Sequence, residues 1–290
     1  MKSGIWILHK GFVESFMSHS TLEIKEYLES QGVDVSTYDY RAIKFGIVDG
    51  VETLYYQNKP LDKLPKVVFA RGNCYKLMKY LSDKGVAVIN GFMNMVHMKD
   101  KWQTYLDLKE INIPQPKTIN SNKVLDYGAV VEEIGVPFIV KYRFGAQGKS
   151  VYLVNSKEEY YNIISSYNFD DLILQEYIST SYGKDIRVFV VGDKYFGAIR
   201  DNSKNGFRAN LAQGGEAYSY QIDNDLLGMI RLICDKLCAE VVGLDFLFSS
   251  NGLVFCEANG NAGYKSFTSQ GIDMSKHIAD YIYEKYFEVR

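Results

Sequence analysis

Two rhythms of apolar and polar residues run along the chain. Short apolar runs of strand length alternate with stretches in which apolar residues recur at three- and four-residue spacing, the rhythm of helices. Gly4 to Leu8 (G-I-W-I-L) reads as a buried strand, and Ser18 or Ser20 caps a helix running to about Ser30, with Leu22, Ile24, Tyr27 and Leu28 inward. Val33 to Tyr38, Val67 to Ala70 and Val86 to Ile89 read as further strands, and Cys74 to Asp83 as a helix closed by Lys84-Gly85. This alternation predicts a small parallel α/β unit. No G-x-G-x-x-G follows the first strand, so dinucleotide binding has no support there.

Asp100 to Ile111 is predicted to be a helix, ended by Pro114-Gln-Pro116, with Trp102, Tyr105, Leu106 and Ile113 as core contacts and Lys101 projecting elsewhere. Phe138 to Lys141 is an apolar strand, followed by Y-R-F-G-A-Q-G-K-S and a second strand, Val151 to Val154. A P-loop would need four residues between its glycines and a helix afterwards; here two residues and a strand exclude it. What remains is a glycine-tipped hairpin whose backbone can approach phosphates, or a plain hairpin. Ser156 and Glu159 form a capping box for a helix burying Tyr160, Ile163 and Ile164. Leu172 to Ile178 reads as a strand, and Asp185 to Val191 and Tyr195 to Arg200 as a hairpin across Gly192-Asp193. The period of two sets Asp185, Arg187 and Phe189 on one face, either turned into a cleft or forming a solvated salt bridge. Residues 201 to 216 are polar and glycine-rich, a long loop of the kind that is usually functional or disordered. Asp223 starts a helix, and Asp273 or Ser275 starts the last one.

The stretch Val241 to Gly263 (V-V-G-L-D-F-L-F-S-S-N-G-L-V-F-C-E-A-N-G-N-A-G) carries the candidate chemistry. It reads as a hairpin interrupted by two acids, Asp245 and Glu257. A two-residue Asn251-Gly252 turn would place Glu257 opposite Phe246. A three-residue Ser250-Asn251-Gly252 loop would place it opposite Asp245, with Asn259 on the same face. Two carboxylates and an amide oxygen suit Mg²⁺; the bland alternative is a hydrogen-bonded core acid and a solvated one.

Composition removes some function classes. The chain has 290 residues, 47% of them hydrophobic, and 33 basic against 35 acidic residues, a formal charge of -2. That balance gives no electrostatic footprint for nucleic acid or an acidic membrane. No apolar run approaches the roughly 20 residues of a membrane span, and the first residues lack a signal-peptide core, so a cytoplasmic protein is expected. Cys74, Cys234, Cys238 and Cys256 are scattered, and Cys234 and Cys238 read as small core residues of a helix rather than half a zinc site. Arg71-Gly72 follows a strand end, a substrate-site position in open α/β sheets, but an ordinary surface arginine is the preferred reading there.

Five elements in order, Lys101 on a helix, Lys141 before the glycine hairpin, Q-E-Y-I, D-I-R with the later F-R-A-N, and Asp245 with E-A-N, resemble the ATP-grasp superfamily. The likeness is greatest to its RimK-like glutamate-ligase branch, itself similar to glutathione synthetase, and runs from about Ile89 to Tyr283. It implies a mixed α/β and α+β ATP-grasp fold in three parts. These are an N-terminal parallel α/β domain over residues 1–88, a central α+β lobe bearing a glycine-rich lid over 89–180, and a C-terminal α+β lobe with a Mg²⁺ site over 181–290.

The resemblance further implies ATP in a cleft between the lobes, with Lys101 and Lys141 on its phosphates and Gly145, Gln147 and Gly148 in the lid. Gln175, Glu176, Tyr177 and Ile178 would lie along adenine and Asp185 would reach the ribose. Arg187, Arg208, Asn210 and Arg200 would line the reacting side, and Asp245, Glu257 and Asn259 would carry Mg²⁺, with Mn²⁺ as an alternative. The implied activity is ATP-dependent joining of a carboxylate to an amine, such as an amino acid or peptide, through an acyl phosphate, with no protein nucleophile. A precursor-peptide ligase and a non-catalytic nucleotide sensor are the alternatives, and a homo-oligomer is compatible with any of them. Two departures from the family pattern stand out. Gly260-Asn261-Ala262-Gly263 replaces a proline-containing turn bordering the amine pocket, and a second arginine after Arg200 is replaced by Asp201, leaving Lys204 as a substitute. Arg71, Arg187 and Arg208 together suggest a substrate with more than one negative group.

Overall fold

The computed structural model describes residues 4–11, 16–120, 123–145, 148, 150–209 and 215–288. Strand β1 (Ile5–His9) leads into helix α1 (Phe16–Ser30) and strand β2 (Val35–Asp39). A three-stranded antiparallel insertion follows, β3 (Ile43–Val48), β4 (Val51–Tyr56) and β5 (Lys59–Pro60). Then come β6 (Val67–Ala70), α2 (Tyr75–Asp83) and β7 (Ala87–Val88). The first sheet is parallel in the order β2-β1-β6-β7, as the strand-helix alternation predicts. The insertion is absent from the sequence-based expectations. Its turn, Asp49-Gly50, has φ of 50° and 77°, the doubly positive conformation that an Asp-Gly pair favours in a two-residue hairpin loop.

Helices α3 (Phe92–Lys99) and α4 (Lys101–Lys109) meet at Asp100, whose carboxylate caps α4 by accepting from the amides of Trp102 and Gln103. Strand β8 (Thr118–Ile119), helix α5 (Tyr127–Ile134), strands β9 (Phe138–Tyr142) and β10 (Val151–Val154), helix α6 (Lys157–Ile164) and strand β11 (Leu172–Glu176) complete the middle of the chain. Their sheet is antiparallel, in the order β10-β9-β11-β8. The last part contains β12 (Lys184–Val191), β13 (Lys194–Asp201), β14 (Glu216–Ser219), α7 (Asn224–Leu237), β15 (Val241–Ser249), β16 (Gly252–Asn259), α8 (Lys265–Thr268) and α9 (Met274–Tyr286). Its five strands are ordered β14-β13-β12-β15-β16.

This five-stranded sheet is covered on both faces. Ile186, Val188, Val190, Leu244 and Phe246 pack with Leu226, Ile230 and Ile233 of α7, and Phe189, Val191 and Val241 pack with Met274, Ile278 and Ile282 of α9. Both clusters also take in residues before Ile113, so the first sheet shares its core with the last. The middle sheet has its own cluster, built around Phe138, Tyr160 and Leu172. Leu22 and Leu106 do not join the core, being 39% and 38% exposed. A helix has room inward for only part of its apolar stripe, and Ile24, Leu28, Tyr105 and Leu108 fill it. Cys238 is also exposed, because it ends α7 in the left-handed conformation at φ 46°. Among the described residues no helix is long and apolar enough to cross a membrane.

Candidate active site

The two acids of the last hairpin face each other. Asp245 pairs directly with Glu257, and Gly243 with Asn259. The route to that register differs from the three-residue loop that the sequence suggests. The turn is Ser250-Asn251, with Ser249 opposite Gly252 and Phe246 opposite Phe255, and the register then shifts between Phe246 and Asp245. The shift is a β-bulge at Cys256, an extra residue on one strand that moves every later side chain by one position. It brings Cys256 against Lys141 and Glu257 against Lys101.

Asp185 and Arg187 share a face, as the period of two predicts, and meet Asp245 and Arg200 there. Arg187 grips Asp245 through two nitrogens, Nη2 at 2.6 Å and Nε closer still, and Arg200 Nη2 reaches the same carboxylate at 3.0 Å. Arg200 also clamps Asp185, with Nε 2.7 Å from Oδ1. All four groups are at least largely buried. Burial opposes ionisation of Asp245, but Arg187 and Arg200 outweigh it and hold its carboxyl below the ordinary range. For Asp185 burial prevails over Arg200, and its pKa is raised. Burial likewise opposes the charge on Arg200, yet the two carboxylates raise its pKa.

Beside this network lie the lysines. Lys101, 8% exposed, donates to the Gly145 carbonyl at 2.9 Å and pairs with Glu257 at 3.1 Å. Its helix is tied to the strand carrying Lys141 by Arg143, which grips the capping carboxylate of Asp100 through Nε at 3.1 Å and through Nη2. Lys141 is 7% exposed and donates to Gln175 Oε1 at 2.5 Å, with the Cys256 sulfur at 3.7 Å. Gln175 in turn donates to the Tyr105 hydroxyl at 2.8 Å and to Thr118 at 2.9 Å. Burial alone would lower the pKa of Lys141, but Cys256, Tyr105 and Glu257 raise it, so the ammonium is retained. Burial pushes the Tyr105 phenol up to about 12 and also raises the Cys256 thiol.

The remaining sequence-predicted residues are more dispersed. Glu176 turns its carboxylate to the Lys117 amide at 3.1 Å. Tyr177 meets the Phe207 ring edge-on, and Ile178 is partly exposed. Arg208 stacks over Phe207 and donates through Nε to the Val151 carbonyl at 3.0 Å, so it joins the 201–209 segment to β10 rather than to the arginine network. Lys204 is exposed. Gly145 supplies the carbonyl taken by Lys101, and Gly148 has a φ of 66°. Gln147 and Asn210 lie outside the described residues.

Sequence reasoning passed over Asn90 and Lys99. Asn90 donates to the carbonyls of Val241 at 2.9 Å and Gly260 at 3.2 Å, fixing the start of β15 and of the Gly260–Gly263 turn together. Arg71 and Arg187 reach the next carbonyls of that turn, Ala262 and Gly263, each at 3.4 Å. Arg71 is buried between the Phe69 and Tyr264 rings, which corrects its reading as a surface arginine. Gly243 permits this packing, since a Cβ there would lie 2.6 Å from the Ala262 Cβ. Lys99 lies beside Lys101, with Nζ 3.5 Å from the same Gly145 carbonyl.

Among the described residues no three His, Cys, Asp or Glu side chains converge as a metal-binding group. The donors that the sequence suggests, taken as a set, are Asp245, Glu257 and the Asn259 amide, and the strand register puts this set on one face. It fits a hard cation that completes its shell with water and phosphate, on condition that the cation shares Asp245 with two arginines.

Residues 98–282 match the RimK-like ATP-grasp domain. The chain is 26% identical to N-acetylaspartylglutamate synthase A of Mus musculus over 97% of its own length and 78% of that protein. It is 28% identical to a probable alpha-L-glutamate ligase of Mannheimia succiniciproducens, over 72% of this chain and 71% of that one. Among solved structures, a RimK domain ATP-grasp protein of Sphaerobacter thermophilus superimposes with a TM-score of 0.74 at 18% identity, covering 96% of this chain and 99% of that one. A RiPP-associated ATP-grasp ligase of Chryseobacterium gregarium, in complex with ADP and a leader and core peptide, superimposes with a TM-score of 0.71 at 16% identity, covering 98% and 97%. The structural likenesses establish the fold, and the matched domain spans more than half of the sequence. The chain belongs to the RimK-like ATP-grasp family.

Proposed function

We propose that this chain, an ATP-grasp ligase of the carbon–nitrogen class by its family, joins the amino group of an amino acid to a carboxylate substrate at the expense of ATP. The observation that carries the reading is the pairing of Asp245 with Glu257, flanked by Lys101 and Lys141. In this reading residues 1–88, 89–180 and 181–290 act as three units, with the nucleotide between the last two. Lys101 and Lys141 neutralise phosphate oxygens as compact cations. Asp245, Glu257 and Asn259 hold Mg²⁺, which supplies charge neutralisation at the phosphates when bound. Arg187 and Arg200 position Asp245 and face the carboxylate that is activated as an acyl phosphate. The chemistry asks for positioning and charge rather than a protein nucleophile.

Glutamate is the first amine to test, because two relatives carry it in their names. The experiment is MgATP-dependent ADP release with glutamate and other amino acids against N-acyl amino acids, dicarboxylic acids and short peptides, with mass spectrometry of each positive reaction. ADP release that requires both partners, with a product heavier by one condensed amino acid, is the expected result. Bound MgATP without turnover across the whole panel would overturn the ligase reading.

A further inference from the structure

The ammoniums of Lys99 and Lys101 converge on one acceptor, the Gly145 carbonyl, at 3.5 and 2.9 Å. Lys101 has a carboxylate partner in Glu257 at 3.1 Å, whereas among the described residues Lys99 forms no ion pair within 4.0 Å. Lys99 is only partly exposed, and burial, followed by the charge of Lys101, lowers its pKa, with Glu257 acting the other way. A lysine held this way costs stability, because a carbonyl shared with a second ammonium does not neutralise it. An anion placed between the two lysines would relieve both the burial and the repulsion.

The local covalent frame leaves little freedom to avoid the encounter. Lys99 ends α3 and Lys101 opens α4, and the residue between them, Asp100, is fixed by two amides of α4 and by Arg143. The two lysines therefore flank a pinned carboxylate that is already fully engaged and cannot serve as their counter-ion. Lys141 approaches from β9 and is held by Gln175.

We propose that Lys99 is a third phosphate-contacting cation of this site, acting with Lys101 and Lys141 on the polyphosphate of a nucleoside triphosphate. The inference rests on the nucleotide reading above and adds to it a residue that the sequence motifs do not mark.

The test is direct binding of MgATP, MgADP and adenosine to the wild-type chain, Lys99→Gln and Lys99→Arg by titration calorimetry, with melting temperature as the control for folding. Lys99→Gln is expected to bind MgATP about tenfold more weakly, while its adenosine affinity and ligand-free melting temperature stay at or above wild type. Lys99→Arg should recover most of the MgATP affinity. Lys99→Gln binding MgATP within twofold of wild type would overturn the assignment while the nucleotide reading stands. Wild-type protein that fails to bind MgATP would overturn both.

Discussion

Replacing Asp245 by asparagine separates two roles carried by one carboxylate. Asp245 is 4% exposed and accepts from Arg187 at 2.6 Å and Arg200 at 3.0 Å. With Asp185 it balances the two guanidinium charges, so asparagine leaves one positive charge buried without compensation. Removing one partner of a buried pair costs about 3–5 kcal/mol. A chain of this size loses about 2 °C of melting temperature per kcal/mol, which gives a drop of about 6–10 °C. Glu257→Gln is the control. Among the described residues Glu257 forms one ion pair, with Lys101, and its side chain is 25% exposed against 5% for Asp245, so water screens the pair and the loss of melting temperature should be clearly smaller than for Asp245→Asn.

Both variants should lose ADP release if the two carboxylates hold the metal, so activity alone does not distinguish them and melting does. The effect has a pH signature. The folded pKa of Asp245 is depressed, so its stabilisation is fully present above the ordinary carboxylate pKa and is lost as pH falls through the lowered value. The gap in melting temperature between wild type and Asp245→Asn should therefore narrow only in strong acid. Differential scanning calorimetry across pH measures this. An Asp245→Asn melting temperature within 2 °C of wild type at neutral pH, or a Glu257→Gln loss as large, would refute the reasoning.

Three further outcomes follow from the lysine side and the cysteines. Gln175→Leu removes the acceptor that holds Lys141 at 2.5 Å, a bond to a charged group worth about 1.5–3 kcal/mol, and MgATP affinity should fall at least about tenfold; unchanged affinity in a nucleotide titration would remove Gln175 from the site. Asp100→Ala deletes the α4 cap and the grip of Arg143, so the melting temperature should drop by about 2–4 °C and the KM for ATP should rise; a variant matching wild type in both would show that the cap does not position Lys101. Under native conditions a thiol reagent should add rapidly once, at exposed Cys238, because burial pushes Cys74 and Cys234 up to about 12 and also raises Cys256. Two or more rapid adducts in an intact-mass time course would contradict this.

Much of the architecture was legible because the signals were local. The Asp223 and Ser156 caps, the Asp185–Val191 hairpin strand and the parallel start all form as the pattern predicts. What escaped was long-range. Asn90 looks like a linker residue until its side chain is seen holding Val241 and Gly260, more than a hundred residues away. Arg200, named for the reacting side by the resemblance, faces Asp185 across a local hairpin, yet its second partner, Asp245, is brought by the pairing of β12 with β15, which no local pattern specifies. Lys99 carries no motif, and its position next to Gly145 depends on how α3 and α4 meet β9.

The last hairpin shows why a correct pairing can follow from an incorrect turn. Turn rules set register only at the tip, and with Ser249 opposite Gly252 an unbroken ladder would have placed Cys256 opposite Asp245 and sent Glu257 to the other face. The bulge prevents this, and its trace is in the burial: Phe255 and Ala258 both enter the same core cluster although they are three positions apart, an odd spacing that an uninterrupted strand would put on opposite faces. One inserted residue thus does two things. It returns Glu257 to Asp245 and Lys101, and it adds a sulfur and, through the Cys256 carbonyl, an acceptor for the Tyr105 hydroxyl at 2.7 Å. Tyr105 accepts from Gln175, and Gln175 holds Lys141, so the break in strand alternation joins the carboxylate half of the site to its lysine half.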